Sequence, residues 1–181
     1  MKVLIVYADG FEDVEAIATR DVLVRAGLEV IDATINESKM VETSHHMHLH
    51  NFKYVKDVDC CDIDAIVLPG GSRGVQNLLR SDVVDSLLFE FRNSGKLICA
   101  ICAAPMVLAK NGLLHNLEFT CYPGCEVGLD GVYTGKEIVV TDKIITGRSM
   151  LYSIPFGLAI IEKLLGKEKK ELIHNQIAGL K

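Results

Sequence analysis

The sequence has no apolar run long enough to cross a bilayer. Its longest, Leu97–Ala109, is interrupted by Pro105 and falls short of the roughly 18–20 residues a spanning helix needs. Val3–Ala8 is cut off by Asp9 before it reaches the roughly 7–15 apolar residues of a secretory signal. Positive charge is also scarce: 19 Lys and Arg stand against 24 Asp and Glu, a formal charge of −5. That balance supplies no basic face, which argues against nucleic acid and against a membrane surface as partners. The expectation is a cytoplasmic protein whose six cysteines stay mostly reduced. No internal repeat, low-complexity tract or linker divides the 181 residues, so a single domain over 1–181 is expected.

What is present is ordinary for a globular chain: 49% hydrophobic and 24% charged residues. Size scaling predicts a folded surface of roughly 8,700 Å² against roughly 29,000 Å² unfolded, enough burial for a core without disulfides. Strand-like and helix-like runs alternate. Lys2–Tyr7 is a β-rich apolar run suited to a strand buried on both faces. Asp9 and Glu12 have the spacing of a capping box with Asp9 as N-cap. The helix that follows is predicted to reach about Ala26, with Gly27 as its stop.

Further strands are predicted at Leu28–Ile35, Met40–Thr43, Met47–Asn51, Phe52–Val55, Ala65–Leu68, Leu97–Ile101, Glu118–Cys121, Glu137–Thr141 and Lys143–Thr146. Helices are predicted at Val75–Leu79, Asp82–Asn93, Ala103–Lys110, Leu151–Leu165 and Glu168–Ala178. This β–α alternation with near-continuous apolar strands implies an α/β fold: a mainly parallel sheet covered by helices on both faces.

The most informative segment is Lys96–Ala109, where an apolar strand runs directly into a small-residue turn and a helix, with Cys102 at the junction. A sharp turn there exposes a nucleophile above the carboxyl edge of the sheet, where ligands of open α/β sheets bind. Ala103 and Ala104 leave room for substrate, the Ala103 amide can face an oxyanion, and a helix N-terminus would favour the thiolate. The plain alternative is that Cys102 is a small buried hydrophobe. Leu68-Pro69-Gly70-Gly71 ends another strand, and its glycine amides can cradle an anion or serve only as a turn. Glu15, early in the first helix, can point at the same edge; kept protonated by burial, it would donate to a thiolate. Otherwise Glu12, Asp13 and Glu15 simply suit a helix N-terminus.

Taken in order, Gly10-Phe-Glu-Asp-Val-Glu15, Leu68-Pro-Gly-Gly71 and Ala100-Ile-Cys-Ala-Ala-Pro105 resemble the ThiJ/PfpI superfamily, closest to its DJ-one branch. Thr120-Cys-Tyr-Pro-Gly124 and Phe156–Glu168 are similar to the same branch, so the resemblance covers essentially the whole chain. It implies a flavodoxin-like three-layer sandwich of the class I glutamine-amidotransferase type, usually homodimeric. The sequence carries no cofactor motif, so no cofactor or metal is expected. The resemblance implies Cys102 as the reactive thiol and Glu15 as its protonated partner, with Gly70, Gly71 and Ala103 lining the oxyanion and substrate site.

The implied activity is cysteine-dependent glyoxalase or deglycase action, without glutathione, on methylglyoxal-type α-oxoaldehydes or their glycated adducts. The alternative is oxidative-stress sensing through oxidation of Cys102. Two departures stand out. Ala103 replaces the histidine of protease-like members, which leaves no adjacent base and speaks against a peptidase. Tyr122 stands where many branch members carry histidine, and tyrosine is the poorer proton shuttle near neutral pH. Arg148 remains of a motif whose Gly-Pro turn is absent.

Other spacings invite other chemistry. Cys99-x-x-Cys102 has a redox spacing, but three strand steps separate the two Cα atoms by roughly 10 Å, against less than about 7 Å for a disulfide. Cys99, Cys102, Cys121 and Cys125 imitate a zinc ribbon, and the same strand argues against it. The adjacent Cys60 and Cys61 read as ordinary thiols. In a strand, His46, His48 and His50 would share one face and could hold a transition metal, although a solvated or interface strand is the simpler reading.

Overall fold

The computed structural model describes residues 1–180. In chain order its elements are β1 (Lys2–Tyr7), α1 (Asp13–Arg25), β2 (Glu29–Thr34), β3 (Met40–Glu42), β4 (His48–His50), β5 (Lys53–Tyr54) and β6 (Ala65–Leu68). They continue with α2 (Ser72–Leu79), α3 (Asp82–Asn93), β7 (Leu97–Ile101), α4 (Pro105–Lys110), β8 (Glu118–Phe119) and β9 (Val132–Tyr133). The last are β10 (Ile138–Val140), β11 (Ile144–Gly147), α5 (Ser153–Leu165) and α6 (Lys167–Ile177).

Seven strands form one sheet in the order β10-β11-β7-β6-β1-β2-β5, parallel throughout except for β10 at the edge. The five strands β2-β1-β6-β7-β11 give the doubly wound order of the flavodoxin-like fold. Strand periodicity explains the layers. Leu4 and Val6 of β1 pack with α2, α3 and α4 residues such as Val75, Leu88 and Val107. Val3, Ile5 and Tyr7 point the other way, towards Leu23 of α1, Phe156 of α5 and Ile173 of α6. With both faces covered, β1 is buried from Val3 to Tyr7, as its uninterrupted apolar sequence requires. The accessible surface of 8682 Å² agrees with the size expectation.

Several local expectations are corrected. The N-cap of α1 is Glu12, whose carboxylate accepts the Glu15 amide at 2.7 Å. Asp9 turns instead to the β3–β4 hairpin, accepting from the Glu42 amide at 2.8 Å and the Asn36 side chain at 2.7 Å. A tertiary contact has outbid a local cap. Helix α4 starts at Pro105 rather than Ala103, because Cys102 has positive φ and the next residues complete a turn. The histidine face does not form. His46 sits in the hairpin turn at φ +65° and pairs with Glu42 at 2.6 Å, and only His48–His50 is strand. β9, without a sequence signal, pairs with β8. All six cysteines are free thiols, and Cys99 lies fully buried inside β7.

Candidate active site

β7 ends at Ile101 and the chain reverses at Cys102, which has φ +62°. A non-glycine residue in this region stores about 1–3 kcal/mol of strain and persists only where its surroundings hold it. Here the Cys102 amide donates to the Gly147 carbonyl at 2.8 Å, and the Tyr122 amide donates to the Cys102 carbonyl at 2.8 Å. β11 and the loop after β8 therefore brace the turn from two sides. The half-buried side chain stands at the carboxyl edge of the sheet, close to the loops that follow β1 and β6.

Glu15 reaches this edge from the first turn of α1 and is 1% exposed. Its Oε2 accepts the Gly70 amide at 2.8 Å. Its Oε1 is buried and has no hydrogen-bond partner among the described residues, and the Cys102 thiol lies beside the carboxyl. Burial pushes the Glu15 carboxyl up to about 7; the Glu12 charge pushes the same way, while Cys102 and the Gly70 amide pull it down.

Burial also pushes the Cys102 thiol up, and the facing Glu15 adds to this. The amides of Ala103 and Gly71 oppose it by favouring the thiolate. The expectation of a thiol lowered by the helix is thus corrected: α4 begins three residues later and has six residues, too remote and short to outweigh desolvation. The push from Glu15 lasts only while Glu15 is ionised. The thiol keeps its proton while Glu15 titrates at about 7, so the pair passes there from two protons to one, and the one-proton form is thiol beside carboxylate or carboxylic acid beside thiolate.

The glycines are dictated by crowding. A Cβ on Gly70 would lie 2.4 Å from Glu15 Oε2 and 2.7 Å from Cys102 Cβ. Gly71 has φ +92°, and a Cβ there would lie 2.4 Å from the Gly10 carbonyl oxygen. Cys102, Glu15, Gly70, Gly71 and Ala103 therefore converge at one place. Arg148 is engaged elsewhere, donating to the Gly135 carbonyl at 2.9 Å and to the Tyr152 hydroxyl. Tyr122 contributes its amide to the turn while its side chain is 52% exposed.

Sequence reasoning missed Gly147, whose carbonyl fixes Cys102, and Glu12 as the cap beneath Glu15. It also missed His45, which pairs with Asp13 at 2.8 Å. No local pattern marks these residues, because each acts through a partner from another element. Glu12, Asp13 and His45 bring potential metal-ligating atoms within 4.8 Å of one another. Glu12 and Asp13 are already engaged, as cap and as acceptor from Ser44 and His45.

The chain is similar to known proteins over nearly its full length. Drosophila melanogaster Protein dj-1beta is 37% identical over 169 residues, covering 92% of this chain and 90% of the relative. Caenorhabditis elegans Glutathione-independent glyoxalase DJR-1.2 is 34% identical over 160 residues, covering 87% and 85%. Two Arabidopsis thaliana DJ-1 homologues are longer proteins, of which the chain covers 39% and 43%. The crystal structure of Drosophila DJ-1beta superposes with a TM-score of 0.93 at 34% identity, over 99% of this chain and 98% of that one. Oxidized Toxoplasma gondii DJ-1 superposes at 0.89 and 32% identity, over 98% and 97%. With the family pattern matched over residues 1–163 on top of this fold, the chain belongs to the DJ-1/PfpI family.

Proposed function

We propose that this protein is a cysteine-dependent glyoxalase or deglycase. It acts without glutathione on methylglyoxal-type α-oxoaldehydes or their adducts. The observation that carries this reading is the strained Cys102 turn with buried Glu15 beside it and the Gly71 and Ala103 amides near the sulfur. The similarity to a C. elegans protein named as a glutathione-independent glyoxalase supports it.

In this mechanism the one-proton pair reacts with its proton on Glu15. The thiolate adds to the aldehyde carbon, and the new alkoxide takes the proton from Glu15 to give a hemithioacetal. Glu15, now a carboxylate, removes the proton from the former aldehyde carbon, and the electron pair moves into the neighbouring ketone to form an enediolate. The first hydroxyl passes its proton to the second oxygen as Glu15 returns its proton to the second carbon, which yields the thioester of the hydroxy acid. Water cleaves that thioester, releasing lactate and regenerating the thiol. Oxygen charge developing at each addition is stabilised by the Gly71 and Ala103 amides. The overall change is methylglyoxal plus water to lactate, with no external oxidant or reductant.

The decisive experiment is lactate formation from methylglyoxal without glutathione, comparing wild type with Cys102→Ser. Lactate from wild type alone supports the enzyme; residual turnover in a folded Cys102→Ser or Cys102→Ala protein sinks the mechanism.

A second reading is an oxidation sensor, favoured by the buried Glu15 carboxyl beside the Cys102 thiol, one oxygen of which has no partner among the described residues. Peroxide would convert the thiolate to sulfenate and then sulfinate, each step releasing water or hydroxide, and a protonated Glu15 would donate to the sulfinate. No lactate from either protein would favour this reading. We further infer a homodimer in the cytoplasm. Val14, Ile17 and Val24 leave apolar surface on α1, each more than 40% exposed, and light scattering measures the assembly. No described helix is long and apolar enough to cross a membrane.

A further inference from the structure

Three hydrogen bonds close a ring behind Cys102. The Cys102 amide donates to the Gly147 carbonyl at 2.8 Å, and the Tyr122 amide donates to the Cys102 carbonyl at 2.8 Å. The third bond joins the two bracing segments to each other: the Thr120 amide donates to the Thr146 hydroxyl oxygen at 2.9 Å. Thr146 precedes Gly147 in β11, and Thr120 lies two residues before Tyr122. Both threonines are buried.

The two sides of this ring differ in rigidity. β11 is paired with β7 on one side and β10 on the other, so the Thr146 hydroxyl starts from a fixed frame. The segment after β8 starts from a two-residue strand paired with the two-residue β9. The Thr134 amide donates to the Phe119 carbonyl at 3.0 Å, and the Thr120 hydroxyl donates to the Lys136 carbonyl at 2.6 Å. These bonds fasten the segment to the connection between β9 and β10. Thr146 fastens it to the strand that also holds Cys102.

Resting on the aldehyde chemistry above, we propose that Thr146 is a positioning residue of this site: through Thr120 and Tyr122, its hydroxyl aims the Ala103 amide at the Cys102 sulfur and at the oxygen of the substrate.

The last link is one peptide plane. The Cys102 carbonyl and the Ala103 N–H belong to the same trans peptide, so they point in opposite directions. Holding the oxygen from one side fixes the direction of the N–H on the other. The Ala103 amide is one of the two that favour the thiolate. Cys102 itself has φ +62°, a conformation that its surroundings must hold. Drift of the Tyr122 amide would turn the plane, and a donor turned off line loses strength steeply. Glu15 is the charged group that acts on the sulfur, and Gly70 holds it from outside the ring.

Two variants of the full chain separate the hydroxyl from the methyl group: Thr146→Val removes the acceptor, and Thr146→Ser keeps it. The first readout needs no substrate: the pH dependence of Cys102 alkylation by iodoacetamide, followed by peptide mass spectrometry. The midpoint should rise by several tenths of a pH unit in Thr146→Val and match wild type in Thr146→Ser. The second readout is lactate formation. Thr146→Val should lose kcat several-fold with little change in KM, short of the roughly 100-fold or greater loss when an oxyanion donor is deleted outright. Thr146→Ser should keep most of its turnover. Ile161→Val, buried in the second half of α5, controls for stability: its urea midpoint should fall while its alkylation midpoint stays in place.

An unchanged alkylation midpoint in folded Thr146→Val, an equal shift in Thr146→Ser, or an equal shift in Ile161→Val overturns the proposal. Should Thr146→Val not fold, hydrogen exchange of wild type decides: protected Thr120 and Tyr122 amides support the route, and a freely exchanging Tyr122 amide breaks it. If wild type makes no lactate, the aldehyde reading has failed by itself, and the alkylation midpoints still decide whether Thr146 acts on Cys102.

Discussion

The Gly70 amide and the Glu15 carboxylate oxygen Oε2 meet at 2.8 Å across 55 residues of sequence, with both residues buried. One bond joins the loop after β6 to the first turn of α1, and leaves the other carboxylate oxygen of Glu15 buried without a partner among the described residues. The same closeness forbids any side chain at position 70.

Gly70→Ala tests this packing. Its Cβ would need to displace both Glu15 Oε2 and Cys102 Cβ. Neither is the free end of a flexible surface chain, so overpacking should cost about 1–3 kcal/mol. Urea unfolding should show that loss, and lactate formation should fall at least tenfold. Near wild-type stability would mean that the three loops do not meet as tightly as described.

The Glu15 carboxyl gives a pH signature. Burial raises it from 4.5 to about 7 in the folded chain. The folded state therefore binds this proton more tightly than the unfolded state. Stability from that proton is complete below about 4.5 and is lost as pH rises through about 7. The loss corresponds to roughly 3 kcal/mol. Glu15→Gln has no proton to lose there, so its urea midpoint relative to wild type should improve from pH 5 to pH 8. Parallel pH curves for the two proteins would contradict the raised carboxyl.

Peroxide should discriminate among the six thiols. Cys60, Cys99 and Cys121 are buried, whereas Cys102 is half-buried. Cys102 alone has backbone amides that favour its thiolate together with a carboxyl that can carry the displaced proton. Peptide mass spectrometry after limited peroxide should find Cys102 oxidised first. Uniform oxidation of all six would remove the sensor reading.

Asp9→Ala should loosen the hairpin rather than α1. It removes the acceptor for the Glu42 amide and the Asn36 side chain, at a cost of about 1–3 kcal/mol for the donors left behind. Hydrogen exchange should accelerate at Glu42 and its neighbours in β3 and β4, while the α1 amides keep their protection. Selective loss of protection in α1 would restore Asp9 as its cap.

Local pattern was a good guide wherever burial alone set the element. Ala65–Leu68, Asp82–Asn93 and Leu97–Ile101 fall where their periodicity places them. It was a poor guide where a distant group competed for the same atoms. Asp9 and Glu12 have the spacing of a capping box, yet Asp9 serves the hairpin. His46, His48 and His50 alternate as a strand would, yet a turn at His46 breaks the face.

The sequence by itself determined the layered α/β order, the cysteine at a strand end and the small residues around it, because these follow from hydrophobic period and steric size. Only the tertiary structure decided that Glu15 lies buried against Gly70, that Gly147 and Tyr122 hold Cys102 in its strained turn, and that His45 pairs with Asp13. The physical reason is that protonation and strain depend on desolvation and on hydrogen bonds from distant elements, and neither quantity exists until the sheet has brought those elements together.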